Sequence, residues 1–266
     1  MPARADGDYQ DLLLTPLAEC ATYRPAFGQE GDKRIDLPHF RALYAGDPLY
    51  HWVGLDSDLM YAAHKAAGGM TSIYRQLGIG CERLLRAVMR DCLALSEAQT
   101  AWSYQYDKGN GVMAVHKLDA RIVADHVRDL EARRRVLGWV HSSAQRLGLP
   151  RARAKALVGA AFEIRQGYKS ADSKRQAADI RFGIRARDDA NLLPVIAIVS
   201  TQASDVVCRR YRDSHLLVLR GQLAGEESTF EFFREVIGYD LAAFFQRNTL
   251  AIRTAFQDII GRLLTP

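Results

Sequence analysis

Ten Lys or Arg residues (Arg151, Arg153, Lys155, Arg165, Lys169, Lys174, Arg175, Arg181, Arg185 and Arg187) crowd into residues 151–187, opposed only by Glu163, Asp172 and Asp179. This local excess of positive charge is larger than the net +5 of the whole chain. Clustered cations that displace condensed counterions are how a protein tracks a phosphate backbone, although a charge run is also the ordinary mark of a solvated face. The embedded acids favour phosphate chemistry. A carboxylate among phosphate-binding cations suits a hard divalent ion, which takes oxygen ligands and bridges to phosphate. Asp179 carries this argument. All of the nuclease reading stands on it: gripping an ion, it supports that reading; locked to an arginine with no room for an ion, it takes that support away, and its plain alternative is an ion pair with Arg181 or Lys174.

The elements that must position these residues follow from periodicity. Asp179 to Ala186 alternates, with Ile180, Phe182, Ile184 and Ala186 on one side and Asp179, Arg181, Gly183 and Arg185 on the other, which predicts a half-buried strand. Glu163 falls near the end of a helix expected over 151–165, opened by Pro150. Leu192 to Val199 is an unbroken apolar run, the pattern of a central strand covered on both faces. Ser204 is placed to cap a helix to Arg212, and His215 to Arg220 forms another apolar strand. Upstream, the first fifty-five residues read as irregular, two helices are separated by Gly68-Gly69, and Glu82 to Leu95 gives a third. Trp102–Tyr106 and Val112–Val115 flank a glycine-rich turn as a hairpin, and a helix is expected from Ala120 to Leu147. The fold class is α/β: a small mixed central sheet flanked by helices. The mainly helical region 1–150 elaborates a core over 151–266 that ends in helices.

The pieces Gly167-Tyr-Lys-Ser-Ala-Asp-Ser-Lys-Arg-Gln-Ala-Ala-Asp179-Ile, Leu193-Pro-Val-Ile-Ala-Ile-Val-Ser-Thr-Gln202, the Arg209-Arg-Tyr helix and the strand from His215 to Gly221 together resemble type II restriction endonucleases of the PD-(D/E)xK nuclease fold. Upstream, Ser72-Ile-Tyr-Arg-Gln-Leu-Gly-Ile-Gly-Cys-Glu-Arg-Leu-Leu resembles the N-terminal helical part of such enzymes. The resemblance implies that Asp179 is the motif's first Asp, with Ala178 in place of Pro, and that Glu163 is the acid beside the metal. The (D/E)xK slot then falls on Ser200-Thr201-Gln202, where Ser and Gln replace the second acid and the Lys; Asp172-Ser-Lys174 is a second possible DxK. It further implies Mg²⁺ held by Asp179 and Glu163, and a water made more acidic for in-line attack on a phosphodiester. Ser200 and Gln202 would stand at the site, with Lys174 beside the phosphate. DNA contacts would come from Lys169, Lys174, Arg175, Arg181 and Arg185. Base readers in the major groove and a two-fold homodimer on a palindromic duplex site complete the implication. The nearest rival is a sequence-specific DNA-binding protein with an inactive nuclease core.

Other readings account for less. Ser200 lacks the glycine-flanked elbow of a nucleophilic serine and His215 opens an apolar strand, so a serine hydrolase is disfavoured. Cys20, Cys81, Cys92 and Cys208 show no CxxC spacing, and buried reduced thiols are expected at Cys81, Cys92 and Cys208. His116 and His126 form no metal pattern, and Asp119 reads as a helix N-cap. Trp102, Tyr104 and Tyr106 alternate, and pack against a neighbour or stack on bases. The aromatic run Phe230–Phe245 is core or dimer interface. No apolar leader opens the sequence and no stretch is long enough to span a bilayer, so a cytoplasmic protein is expected.

Overall fold

In the computed structural model, which describes residues 4–27, 34–109, 111–167 and 173–266, helices fill the start of the chain: α1 (Asp6–Ala18), α2 (Leu37–Ala45), α3 (Pro48–Trp52) and α4 (Asp58–Cys92). Much of the described part of the expected irregular region is therefore helical. Short helices leave little periodicity, and these are set by local capping instead. Asp36 accepts from His39 N at 3.2 Å and Asp47 from Tyr50 N at 3.1 Å, each with a proline in the first turn. Gly68-Gly69 does not break α4, which runs 35 residues without interruption. A Cβ on Gly68 would stand 1.9 Å from Tyr23 Oη, and one on Gly69 2.6 Å from Leu263 Cδ2. These glycines permit close approach, which outweighs their cost of about 1 kcal/mol each in a helix.

After the single turn α5 (Glu97–Thr100), the expected hairpin forms from β1 (Ser103–Asp107) and β2 (Met113–Lys117), with Tyr104 opposite His116. The main sheet has the order β3-β4-β5-β6, from β3 (Ala120–Val123), β4 (Gly159–Arg165), β5 (Leu192–Ile198) and β6 (Leu217–Leu219). β3 runs antiparallel to β4, while β4, β5 and β6 are parallel, so the sheet is mixed and flanked by helices. All seven residues of β5 are buried, as the unbroken apolar run requires. α6 (Leu130–Arg146) and α7 (Arg151–Ala156) connect β3 to β4; α8 (Ser173–Ala190) crosses from β4 to β5, and α9 (Asp205–Asp213) from β5 to β6. Beyond β6, α10 (Thr229–Glu231) continues into a π turn, followed by α11 (Leu241–Arg247) and α12 (Thr249–Leu264). In the aromatic run, Phe233 and Phe244 are fully buried.

Three expected elements are corrected. Residues 179–186 are helix, because the buried positions of α8 are Gln176, Asp179, Phe182, Gly183 and Ala186, a helical stripe with two polar members. Only the apolar half of that stripe registers as alternation. The helix expected over 151–165 ends at Ala156, and Glu163 lies on β4, a buried strand paired on both edges with β3 and β5. The helix expected from Ala120 begins at Leu130, because residues 120–123 pair with β4.

By its internal contacts the chain forms two compact units, one of Cys81–Gln246 with the start of the chain to Tyr9, the other of Gln10–Gly80 with Arg247–Pro266. The first holds both sheets. On one face of its main sheet, Phe182 and Ala186 of α8 and Tyr211 of α9 pack on Ala161, Leu192, Ile196 and Ile198. On the other, Trp139 lies 6.3 Å from Phe162 and 4.4 Å from Phe232 between ring centroids. The second unit packs Leu17, Cys20 and Ile73 against Ile259 and Leu263. No helix among the described residues is long and apolar enough to cross a membrane.

Candidate functional site

Alternation along β4 sends Ala161, Glu163 and Arg165 toward the α8 face of the sheet, and Phe162 toward Trp139 on the other. The antiparallel register pairs Ala120 with Phe162, which sets Asp119 opposite Glu163. That register needs Gly159, since a Cβ there would meet Ile122 O at 2.0 Å. Asp119 turns back on β4, its Oδ2 accepting from Ile164 N at 2.6 Å. Arg86 of α4 donates to Asp119 O at 3.4 Å and pairs with Glu82 at 3.3 Å, which brings the Glu82 carboxylate to the same place. Burial, with Glu163 and then Glu82 adding repulsion, pushes Asp119 up to about 8, against the opposing Ile164 N–H and Arg165. Glu82 is likewise raised, by burial first, with Arg86 opposing.

Glu163 is buried and held from two sides. His116 Nε2 lies 2.7 Å from its Oε1, and Arg165 3.5 Å from its Oε2. An ionised carboxylate only accepts, so His116 donates from Nε2; in the neutral ring Nδ1 then accepts from Tyr104 Oη at 3.2 Å. The hairpin thus places its inner face, Tyr104 and His116, against the acid. Burial pushes the Tyr104 hydroxyl up to about 12.

Asp179 is not placed to hold a metal ion. It is 1% exposed, and both of its oxygens are engaged: Oδ1 by Arg165 Nη2 at 2.6 Å and Oδ2 by Tyr211 Oη at 2.5 Å. Burial raises its pKa, with Arg165 and the Tyr211 hydroxyl opposing. Burial also works against the Arg165 charge, but Asp179, Glu163 and Asp119 outweigh it and raise the guanidinium. The acid chosen from the sequence is therefore the arginine's partner, because residue 179 lies on the inner face of a helix and not at a strand edge.

The other predicted residues separate. Ser200 Oγ accepts from Gln202 N at 3.0 Å in a local turn beyond β5; no hydrogen bond or ion pair among the described residues joins either to Glu163 or Asp119. Lys169, with Asp172, lies outside the described residues. Lys174 and Arg175 are exposed in the first turn of α8. Arg181 stands 4.6 Å over the Tyr106 ring, and Arg185 pairs with Asp189 at 3.0 Å. Helical spacing brings Lys174, Arg181 and Arg185 onto one stripe.

Sequence reasoning missed Asp119, read as a cap because a helix was expected after it. The legible signal was an acid directly before a short alternating run, with Glu163-Ile-Arg165 able to pair across from it. Among the described residues no group of three or more His, Cys, Asp or Glu is set at metal-holding spacing. Mg²⁺, however, keeps several waters and needs only one or two carboxylates. Asp119, directly before β3, and Glu163 of β4 are two such oxygen donors, both oxygens of Glu163 being engaged by His116 and Arg165. No protein-family model matches this chain, and neither any curated protein nor any solved structure matches it.

Proposed function

We propose that the chain is a Mg²⁺-dependent DNA endonuclease whose centre is Asp119 and Glu163, a reading that no longer stands on Asp179, which is locked to Arg165. The observation that carries this reading is the strand register that sets Asp119 opposite Glu163 and ties its carboxylate to Ile164 N at 2.6 Å. Glu163-Ile164-Arg165 is an acid, a spacer and a cation in the order of the second motif of the resembled family, with Arg for Lys, and it replaces Ser200–Gln202 in that role. The restriction-endonuclease-like core is supported by the parallel β4–α8–β5 crossover beside antiparallel β3.

A bound divalent ion would supply charge neutralisation at a scissile phosphate and a more acidic water. The chain's own residues do the rest. Asp119 and Glu163 would hold the ion. His116, fixed by Tyr104, orients Glu163. Arg165 keeps a permanent positive charge beside Glu163, where a phosphate's negative charge would develop. Lys174, Arg181 and Arg185 supply a cationic stripe for the backbone. Cutting both strands of a symmetric site requires two copies about a two-fold axis, and a homodimer is part of this reading.

The test is cleavage of supercoiled plasmid with Mg²⁺, with and without EDTA. Wild type is expected to cut in Mg²⁺ only. Glu163→Gln and Asp119→Asn should each lose at least about 100-fold, some 3 kcal/mol of transition-state stabilisation. Full activity in either variant overturns the site. The engagement of both Glu163 oxygens by His116 and Arg165 favours a second reading, DNA binding without cleavage. A gel shift with intact plasmid would select it.

A further inference from the structure

We infer that the cleft beside the acids is a binding site for a single nucleotide unit, a planar base with its phosphate. Its role in the reaction rests on the nuclease reading, whereas its binding does not. The cleft has a volume of about 480 Å³, within the usual range for small-ligand sites, and is lined by Arg86, Glu97, Thr100, Ala101, Trp102 and Lys117 among others.

Its polar groups select an anion. Glu97 is already paired with Arg90, and Thr100 Oγ1 donates to Glu97 O at 2.9 Å. Two cations remain. Lys117, the exposed last residue of β2, makes no hydrogen bond or ion pair among the described residues. Arg86 is half-buried and fixed on the border of the cleft by its 3.3 Å ion pair to Glu82 and its 3.4 Å bond to Asp119 O. A guanidinium with an ammonium suits a phosphate. The apolar wall selects the rest of the ligand. Trp102 packs with Tyr104 at 5.7 Å between ring centroids and is itself only partly buried, which leaves indole surface for a base to stack on.

The position gives the pair its meaning. Arg86, bonded to Asp119 O, and Leu118 both line the cleft, so it borders the segment that carries Asp119; a phosphate would rest on Lys117 and Arg86 and its base on Trp102. A base inside a duplex stack cannot enter such a cleft, so the unit is an extruded or single-stranded nucleotide, or a free one.

Tryptophan fluorescence of the whole chain, titrated with dAMP in EDTA, tests this. Saturable quenching is expected, absent in Trp102→Phe, about tenfold weaker in affinity in Lys117→Gln, and lost in Ala101→Trp, which fills the cleft. Deoxyadenosine, without the phosphate, should bind at least tenfold more weakly than dAMP. No saturable quenching in wild type, or quenching that Lys117→Gln and Ala101→Trp leave unchanged, overturns the proposal. A duplex carrying 2-aminopurine then separates the sources: brightening on binding assigns an extruded nucleotide of the strand, and an unchanged signal beside dAMP binding assigns a free nucleotide. Plasmid cleavage keeps the two readings apart. Binding of dAMP by a chain that never cuts refutes the nuclease alone; cutting by a chain that binds no dAMP refutes the cleft alone.

Discussion

Two aspartates in one site do different physical work. Asp179 has Arg165 and Tyr211 on its two oxygens and holds the guanidinium within 3.5 Å of Glu163, so it positions a cation and does not bind an ion. Removing one member of a buried pair leaves an uncompensated charge. Asp179→Asn should therefore destabilise the fold by about 3 kcal/mol or more, and Tyr211→Phe by about 1.5–3 kcal/mol, the worth of a bond to a charged group. Urea unfolding measures both, and an Asp179→Asn chain of wild-type stability would contradict the assignment. Asp119 is the opposite case. Its carboxyl, near 4 in an unfolded chain, is pushed up to about 8 in the fold by burial and its acidic neighbours. Between those values the folded protein holds a proton that the unfolded chain has released. This contribution to stability is thus complete below about pH 4, shrinks as the pH climbs, and is gone above about pH 8. Melting temperature should fall more steeply from pH 6 to 9 in wild type than in Asp119→Asn, and Mg²⁺ at pH 9 should recover the wild type only. Parallel profiles for the two proteins would show that Asp119 is not strained.

Helix α8 turns three cations separated by seven and four residues into one stripe, which a strand could not have done. Lys174 sits in its first turn, Arg181 lies over Tyr106, and Arg185 follows one turn later. If that stripe follows a DNA backbone, the double variant Arg181→Ala/Arg185→Ala should weaken binding to all sequences alike. The slope of log K against log salt should fall by about 2, one for each lost phosphate contact. An unchanged slope removes the stripe from the interface. The same helix shows what sequence reading reaches. Leu192–Ile198 is legible because an all-apolar run has few other uses, and the hairpin because its turn residues mark it. Asp179 is misplaced because the buried stripe of α8 includes Gln176 and Asp179, whose burial is tolerated only through Arg210 and through Arg165 with Tyr211. Those partners are distant in sequence, so no local pattern announces them. Glu163 stands out in the sequence by its setting among cations, whereas its nearness to Asp119 depends on a strand pairing made across forty residues of intervening chain.

The second compact unit is built from separated stretches, so its stability depends on the end of the chain. Leu17, Cys20 and Ile73 are closed over by Ile259 and Leu263 of α12, and Gln76 donates to Glu19 at 2.9 Å beside them. Cys20 is fully buried there, while Cys81 and Cys208 are buried in the first unit. Truncating two core side chains to alanine costs about 2–5 kcal/mol each, enough to open a local unit that carries only part of the molecule's stability. In Ile259→Ala/Leu263→Ala, Cys20 should become a fast-reacting thiol toward a disulfide reagent, with Cys81 and Cys208 still protected. Mass spectrometry of the labelled chain reads which cysteine reacted. Simultaneous labelling of Cys20, Cys81 and Cys208 would mean that the chain opens as one cooperative body. Continued protection of Cys20 would mean that α12 does not close this core. Labelling of Cys20 alone would also leave the acids of the first unit in place, so the variant should retain whatever Mg²⁺-dependent cleavage the wild type has.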